Sequence, residues 1–285
     1  MSLIVLDQLS LPGDAAKPNE DSFAHLDHAA LVLDGATPLG PSLLPGHSDA
    51  AWIAQFGARR LATHLKDGDV PQDALKHALA DAEKSFTGLT REPIREKWQT
   101  PCASLMLAVE RGKDSQKAEI EFLWFGDCAA IVEQNGTIET VGETLEKRQA
   151  EAKRAKMVAQ MANMSAASGI NRPQIEPLLR AARNRINSGR NWLFSPDVRA
   201  AGHVSRHQLS LRKDALVLIA SDGFLALVSD YGAYDMQGLM AAVAEKGLAA
   251  LGEELRAIED HDPLGEKFPR FKKSDDATAI LLRVA

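Results

Sequence analysis

Aspartate is the residue type through which this chain could do chemistry, because of where it falls. Ala30-Leu-Val-Leu33 runs into Asp34-Gly35, Phe122-Leu-Trp-Phe125 runs into Gly126-Asp127, and Leu216-Val-Leu-Ile219 runs toward Asp222-Gly223. Asp275-Asp276 stands just before the apolar run Ala277 to Val284. Apolar strands that stop at carboxylates place charge at the rim of a sheet, where water or a metal reaches it. One pair can be placed geometrically. Residues 22–34 read as two short strands around a turn at Asp27-His28, so that Asp21 faces Asp34. Directly opposed residues of an antiparallel pair lie roughly 4.5–5.5 Å apart at Cα, and facing like charges are destabilising. A divalent cation removes that cost, and oxygen-only ligands favour Mg²⁺ or Mn²⁺ over zinc. A single Asp-Gly pair is also ordinary turn chemistry. Four carboxylates at strand ends, with one pair facing, point to an acidic metal site of hydrolytic character.

The elements that must position these residues read as follows. Strand-like runs cover 102–110, 118–125 and 128–134, and Asn135-Gly136 is a two-residue hairpin signal into 137–141. Further strands are expected at 215–220 and 277–284. Helical periodicity covers 47–67 and 71–87, the second with Pro71 near its start. Strong helix formers fill 143–165, and helices are expected at 173–187, 224–229 and 235–260. The strands cluster without strict βαβ alternation, which predicts an α+β fold with helices packed outside sheets.

Composition narrows the class. With 285 residues, 45% apolar, the chain is long enough to bury a core without covalent staples. Its net charge of −6 argues against a general nucleic-acid coat. Two cysteines, Cys102 and Cys128, exclude a disulfide scaffold and a four-cysteine zinc site. No signal peptide and no membrane span is visible, so a cytoplasmic location is expected. Neither cysteine is followed by a phosphate loop ending in Arg, since Ala108 and Gln134 stand six residues on. Asp67-Gly-Asp69 has the spacing of aspartyl-phosphate hydrolases, but it follows a helix and reads as a loop. His203 and His207 are four apart without a metalloprotease Glu and read as surface or packed residues.

The acidic segments, in their order, resemble the metal-dependent protein phosphatases of the type 2C family. Asn19-Glu20-Asp21-Ser22-Phe23 and Leu31-Val32-Leu33-Asp34-Gly35 resemble its first two acidic motifs. Cys102-Ala103-Ser104 resembles its small-hydroxyl strand, and Phe125-Gly126-Asp127 its Gly-Asp motif. Ser221-Asp222-Gly223 resembles its Ser-Asp-Gly motif, and Ser274-Asp275-Asp276-Ala277-Thr278 its final Asp-Asn-x-Thr motif. The resemblance spans residues 14 to 284. It implies a four-layer α-β-β-α sandwich, two packed antiparallel sheets flanked by helices, in a single domain over 1–285. It also implies a Mn²⁺- or Mg²⁺-dependent phosphatase acting on phosphoserine or phosphothreonine in proteins, by direct attack of a water bridging two metals. Asp21, Asp34, Asp222 and Asp275 take the place of the two-metal core, with the Gly35 carbonyl as a further ligand. Glu20 would bind through metal-bound water, and Asp127 sits where the family has a carboxylate for a third, weaker metal.

The sequence departs from the family pattern at three positions. Ala16 stands where a phosphate-gripping Arg is usual, with Lys17 beside it as the candidate substrate-binding cation. Ala36 replaces the usual general-acid His, and Ala226 replaces an Asp of the third metal site. These losses motivate a second reading, a metal-binding pseudophosphatase that recognises a phosphorylated partner. A third is a phosphatase for a small phosphoester.

Residues 147–190 carry ten Lys or Arg against Glu151 and Glu176, a net of +8, which leaves −14 for the remainder. This basic part of a helical insertion over 143–200 lies about where the family has its flap. It is expected either to attract an acidic, phosphorylated protein substrate or to be a solvated surface. Aromatic stacking residues are missing there, so nucleic acid is not an expected partner, and without a long apolar run neither is a membrane. Met157, Met161 and Met164 form a stripe that reads as a packing face.

Overall fold

The computed structural model describes residues 3–46, 48–113, 117–142, 172–268, 270 and 272–285. The expected helix at 143–165 and its methionine stripe lie outside the described residues, as does most of the basic segment.

Among the described residues, ten strands form two antiparallel sheets. The first has the order β1 (Leu3–Leu11), β10 (Ala277–Val284), β9 (Leu216–Ala220), β6 (Ala129–Gln134), β7 (Thr137–Gly142). The second has the order β2 (Asp21–Leu26), β3 (Ala29–Gly35), β4 (Ala103–Lys113), β5 (Lys117–Phe125), β8 (Ser205–Arg212). Central strands are apolar on both faces because both faces are covered. In β3, Ala30 and Val32 point to the opposite sheet, whereas Leu31 and Leu33 point to the helices. Between the sheets, Ala30, Val32, Met106, Phe122, Val132, Val217, Ile219 and Ile280 are buried together.

Helices α1 (Asp49–Lys66) and α2 (Pro71–Leu89) cover the outer face of the second sheet. Ser48 caps α1 by accepting from the Ala51 N–H, and Pro71 opens α2. The α2 residues Ala74, Leu75, Ala78, Leu79, Ala82 and Phe86 form its buried stripe. Helices α4 (Asp222–Ser229) and α5 (Met236–His261) cover the first sheet, with Phe224, Leu227, Leu239 and Leu251 packed on Ile131 and Leu218. The α5 helix is interrupted at Gly247, where Asp7 Oδ2 accepts from the Leu248 N–H at 2.7 Å. Helix α3 (Arg172–Arg183) precedes β8. The molecule is therefore the expected α-β-β-α sandwich.

Most boundaries agree with the sequence reading to within two or three residues. Asn135 and Gly136 both take positive φ, as the tight hairpin between β6 and β7 requires. The β2–β3 register pairs Asp21 with Asp34 and Leu26 with Ala29, which is the turn expected at Asp27-His28. Two edge strands, β1 and β8, had no counterpart in the sequence reading. The helix expected over 173–187 ends at Arg183.

The glycines of the two Asp-Gly motifs are required by close approach. A Cβ on Gly35 would lie 2.5 Å from the Ala50 carbonyl oxygen, and one on Gly223 would fall on the Asp276 carbonyl oxygen. Both obstacles are backbone and cannot swing aside. Gly223→Ala is expected to cost about 3 kcal/mol by overpacking, read as a lower urea midpoint for unfolding.

Candidate metal centre

The strand ends converge at one rim of the sandwich. Asp21 opens β2, Asp34 nearly closes β3, and Ser104 of β4 lies opposite Asp34 in register. Asp127 follows β5, Asp222 begins α4 just after β9, and Asp275 precedes β10. Carboxylate oxygens of Asp34, Asp127 and Asp222 all lie within 4.8 Å of one another. They open, with Asp275 and Gly35, onto a cleft of about 650 Å³.

Asp21 lies beneath the cleft and is 4% exposed. Its Oδ2 accepts from Ser221 Oγ at 2.8 Å, while its Oδ1 is buried without a hydrogen-bond partner. Ser221 Oγ in turn accepts from the Thr278 N–H at 2.9 Å, so the Ser-Asp-Gly and final motifs clip the first sheet to Asp21 of the second. Asp276 is held by two backbone donors. Its Oδ1 accepts from the Gly13 N–H and its Oδ2 from the Glu20 N–H, both at 2.6 Å, which uses two acceptor oxygens where an amide has one. Ser104 Oγ donates to Asp127 Oδ1 at 2.5 Å, giving the small-hydroxyl strand its place in the site.

The electrostatics are those of a site built for cations. Burial pushes the Asp21 carboxyl well above the ordinary carboxylate range, against the Ser221 hydrogen bond, and the charges of Asp275, Asp276 and Asp222 push it further. Asp34 is raised by burial and then by Asp21, Asp222, Asp127 and Asp275. Asp275 is raised by burial even though Lys272 pairs with it. A buried carboxylate oxygen without a donor, beside three converging carboxylates, fits hard divalent cations such as Mn²⁺ or Mg²⁺.

The other expected residues fall into place less uniformly. Glu20 is near but engaged, accepting from Ser48 Oγ at 2.6 Å and Thr37 Oγ1 at 2.7 Å. It ties the start of α1 to the loop after Gly35. Ala226 packs into the apolar layer under α4, so no carboxylate reaches the centre from that position. Lys17 is exposed and pairs with Asp14 at 3.4 Å, outside the residues that line the cleft. Among the described residues, the cations that line the cleft are Arg183 and Arg190 of the basic segment and Lys272, which stands 238 residues from Asp34 in the chain. Arg183 Nη1 donates to the Thr37 carbonyl at 2.9 Å, and Arg180 donates to the Leu39 carbonyl at 2.7 Å and stacks on Trp98. Two residues of the basic segment thus anchor α3 over the loop that follows Asp34-Gly35. His203 stacks on Trp192, ring centroids 3.7 Å apart, in the cleft wall. Cys102 and Cys128 are buried, and burial raises both thiols.

Solved structures share this architecture over the whole chain. The catalytic domain of the serine/threonine protein phosphatase PstP, solved in complex with two manganese ions, aligns with TM-score 0.56 at 15% identity, covering 100% of this chain and 99% of that one. The chain has the fold of the PPM-type Ser/Thr phosphatases. The photosystem II phosphatase PBCP aligns with TM-score 0.59 at 14% identity, covering 99% of both chains. Stp1 from Staphylococcus aureus aligns with TM-score 0.54 at 15% identity, covering 100% of this chain and 98% of that one. No protein-family model matches the chain, and comparison with curated proteins finds no match. Among the described residues no helix is long and apolar enough to cross a membrane.

Proposed function

We propose that this protein is a Mn²⁺- or Mg²⁺-dependent phosphatase that hydrolyses phosphoserine or phosphothreonine in a protein substrate. The observation that carries this reading is the convergence of Asp34, Asp127 and Asp222 above the buried, half-satisfied Asp21, at the rim of a fold shared with phosphatases. Asp21, Asp34, Asp222 and Asp275 would hold two cations, with Asp127 as a further ligand and the Gly35 carbonyl alongside. Glu20 would act through water while bracing Ser48 and Thr37. When bound, such cations lower the pKa of a coordinated water and neutralise phosphoryl charge, which permits direct hydrolysis without a covalent enzyme intermediate.

The chain's own groups do the rest. The carboxylates hold their positions because Ser221, Ser104 and the backbone around Asp276 orient them. Arg183 would meet the phosphate of the substrate, since it lines the cleft and its Nη1 is held on the carbonyls of the loop after Asp34-Gly35. Arg190 and Lys272 add positive charge to the same wall. The cleft opens beside α3, where a phosphorylated loop of a protein can enter. The cytoplasm is its proposed location, in keeping with the reduced cysteines.

The test compares hydrolysis of phosphoserine and phosphothreonine peptides with p-nitrophenyl phosphate and small metabolite esters, each with Mn²⁺, Mg²⁺ or EDTA. Higher kcat/KM on peptides supports the protein substrate; higher kcat/KM on a metabolite ester assigns the small-ester reading instead. Metal binding without turnover of any ester assigns the pseudophosphatase reading, which the alanines at 16, 36 and 226 motivate. Arg183→Ala is expected to raise KM for a phosphopeptide about 10- to 100-fold, the worth of a hydrogen bond to a charged group. Arg183→Lys should recover only part of that, because it lacks the planar fork. Steady-state kinetics on the three proteins checks both statements.

A further inference from the structure

A second cluster of metal-ligating side chains lies at the far end of α1. His64, in its last turn, Asp69, in the connecting loop, and His77, in α2, bring one ligand atom each within 4.8 Å of the others. His64 Nδ1 is 3.4 Å from Asp69 Oδ2, and His77 Nδ1 is 2.7 Å from the same oxygen. The opposite nitrogen of His64, Nε2, lies 2.9 Å from Asp81 Oδ2, and Arg60 Nε donates to that Asp81 oxygen at 2.7 Å.

We propose that His64, Asp69 and His77 form a Zn²⁺-type site, chemically distinct from the acidic centre. The donor set is the first argument. Two imidazoles and one carboxylate suit zinc, whereas an all-oxygen set suits Mg²⁺ or Mn²⁺. Spacing is the second. Ligands bound at zinc distances in a tetrahedron stand roughly 3.3 Å apart. The His64–Asp69 pair already has that separation, and His77 sits on a half-exposed side chain that can open by the remaining half ångström or so. The proton arrangement is the third. If His64 Nε2–H donates to Asp81, its Nδ1 carries a lone pair aimed at a carboxylate oxygen. Arg60 Nη2 also lies 3.3 Å from Nε2, and either a proton on Nδ1 or a cation between Nδ1 and Asp69 satisfies the pair. A carboxylate behind the ligating histidine is also the usual support of a metal-bound imidazole. Three protein ligands leave a fourth position for water.

The site would tie the last turn of α1 to the second turn of α2. Its distance from the acidic centre is set by α1 itself. Ser48 at the start of that helix touches Glu20, and His64 lies about 24 Å further along the axis.

Metal-stripped full-length protein titrated with Co²⁺ provides the test, because tetrahedral Co²⁺ with nitrogen ligands absorbs strongly in the visible and octahedral oxygen-bound Co²⁺ does so weakly. The expected result is an intense band that saturates at one equivalent and is displaced by Zn²⁺. It should vanish in His77→Ala, persist in Asp34→Asn, and require about 10- to 100-fold more metal in Asp81→Ala. His77→Gln replaces His77→Ala if circular dichroism shows that the alanine variant is unfolded. A missing band, a band that survives loss of His77, or a band lost with Asp34 would overturn the proposal, the first leaving only a hydrogen-bonded histidine–aspartate network.

Discussion

Asp34→Asn is expected to lower metal-dependent phosphoester hydrolysis by roughly 10³-fold, since metal ions contribute several kcal/mol of transition-state stabilisation. The substitution keeps the size and shape of the side chain and removes one charge. Asp34 sits where the largest number of site groups meet. It faces Asp21 across β2–β3, pairs with Ser104 across β3–β4, and shares the rim with Asp127 and Asp222. An amide there donates N–H toward carboxylates that must gather around a cation. The loss should therefore fall on kcat and on metal affinity together, with circular dichroism unchanged. Asp127→Asn should cost less, because Ser104 Oγ already occupies one of its oxygens. Parallel Mn²⁺ titrations of activity in the two variants would show the difference.

The second large effect concerns stability and has the opposite sign. Burial and mutual repulsion raise the carboxyls of Asp21 and Asp34 in the metal-free fold. A carboxyl raised on folding binds its proton more tightly in the native state, so its contribution is full below the unfolded value near pH 4 and is lost as pH rises through the native value. Metal-free protein should accordingly become less stable from mildly acidic to neutral pH. Mn²⁺ binds the deprotonated carboxylates and should reverse the trend, so the gap in Tm between Mn²⁺ and EDTA widens as pH increases. Asp21→Asn removes the buried charge whose Oδ1 has no partner, and its amide oxygen can still accept from Ser221. At neutral pH it should stabilise the metal-free protein by about 2 kcal/mol while abolishing the Mn²⁺ effect. Thermal unfolding of both proteins at pH 5 and pH 8, with and without Mn²⁺, reads every part of this expectation.

How far the site was legible depended on the range of the interactions that build it. The facing of Asp21 and Asp34 follows from a short turn and a two-residue period, so local sequence carries it. Central strands are legible for a related reason, since burial on both faces leaves nearly unbroken apolar runs such as Leu216–Ala220. The edge strands carry no such mark. β8 reads Ser-Arg-His-Gln-Leu-Ser-Leu-Arg, with only Leu211 fully buried, and β1 alternates half-buried with exposed residues. Polar, charged edges protect a sheet from further pairing, and they hide it from hydrophobic patterning. Which basic residues reach the cleft was hidden for another reason. Arg183 reaches the loop after Asp34 through the packing of α3, whereas Lys17, near in sequence to Glu20, turns outward to Asp14. The His64–Asp69–His77 cluster likewise exists only once α1 and α2 fold back on each other.

The central claim is that the converging aspartates make a metal-dependent hydrolase, and one measurement addresses it directly. Phosphopeptide hydrolysis is followed with EDTA, Mg²⁺ or Mn²⁺ for the wild-type protein and for Asp222→Ala, with Mn²⁺ binding measured by calorimetry on the same samples. Turnover that requires Mn²⁺ or Mg²⁺, stops with EDTA and disappears in Asp222→Ala is the predicted result. Wild-type protein that hydrolyses no phosphoester while still binding Mn²⁺, or turnover indifferent to EDTA and to the loss of Asp222, would contradict it.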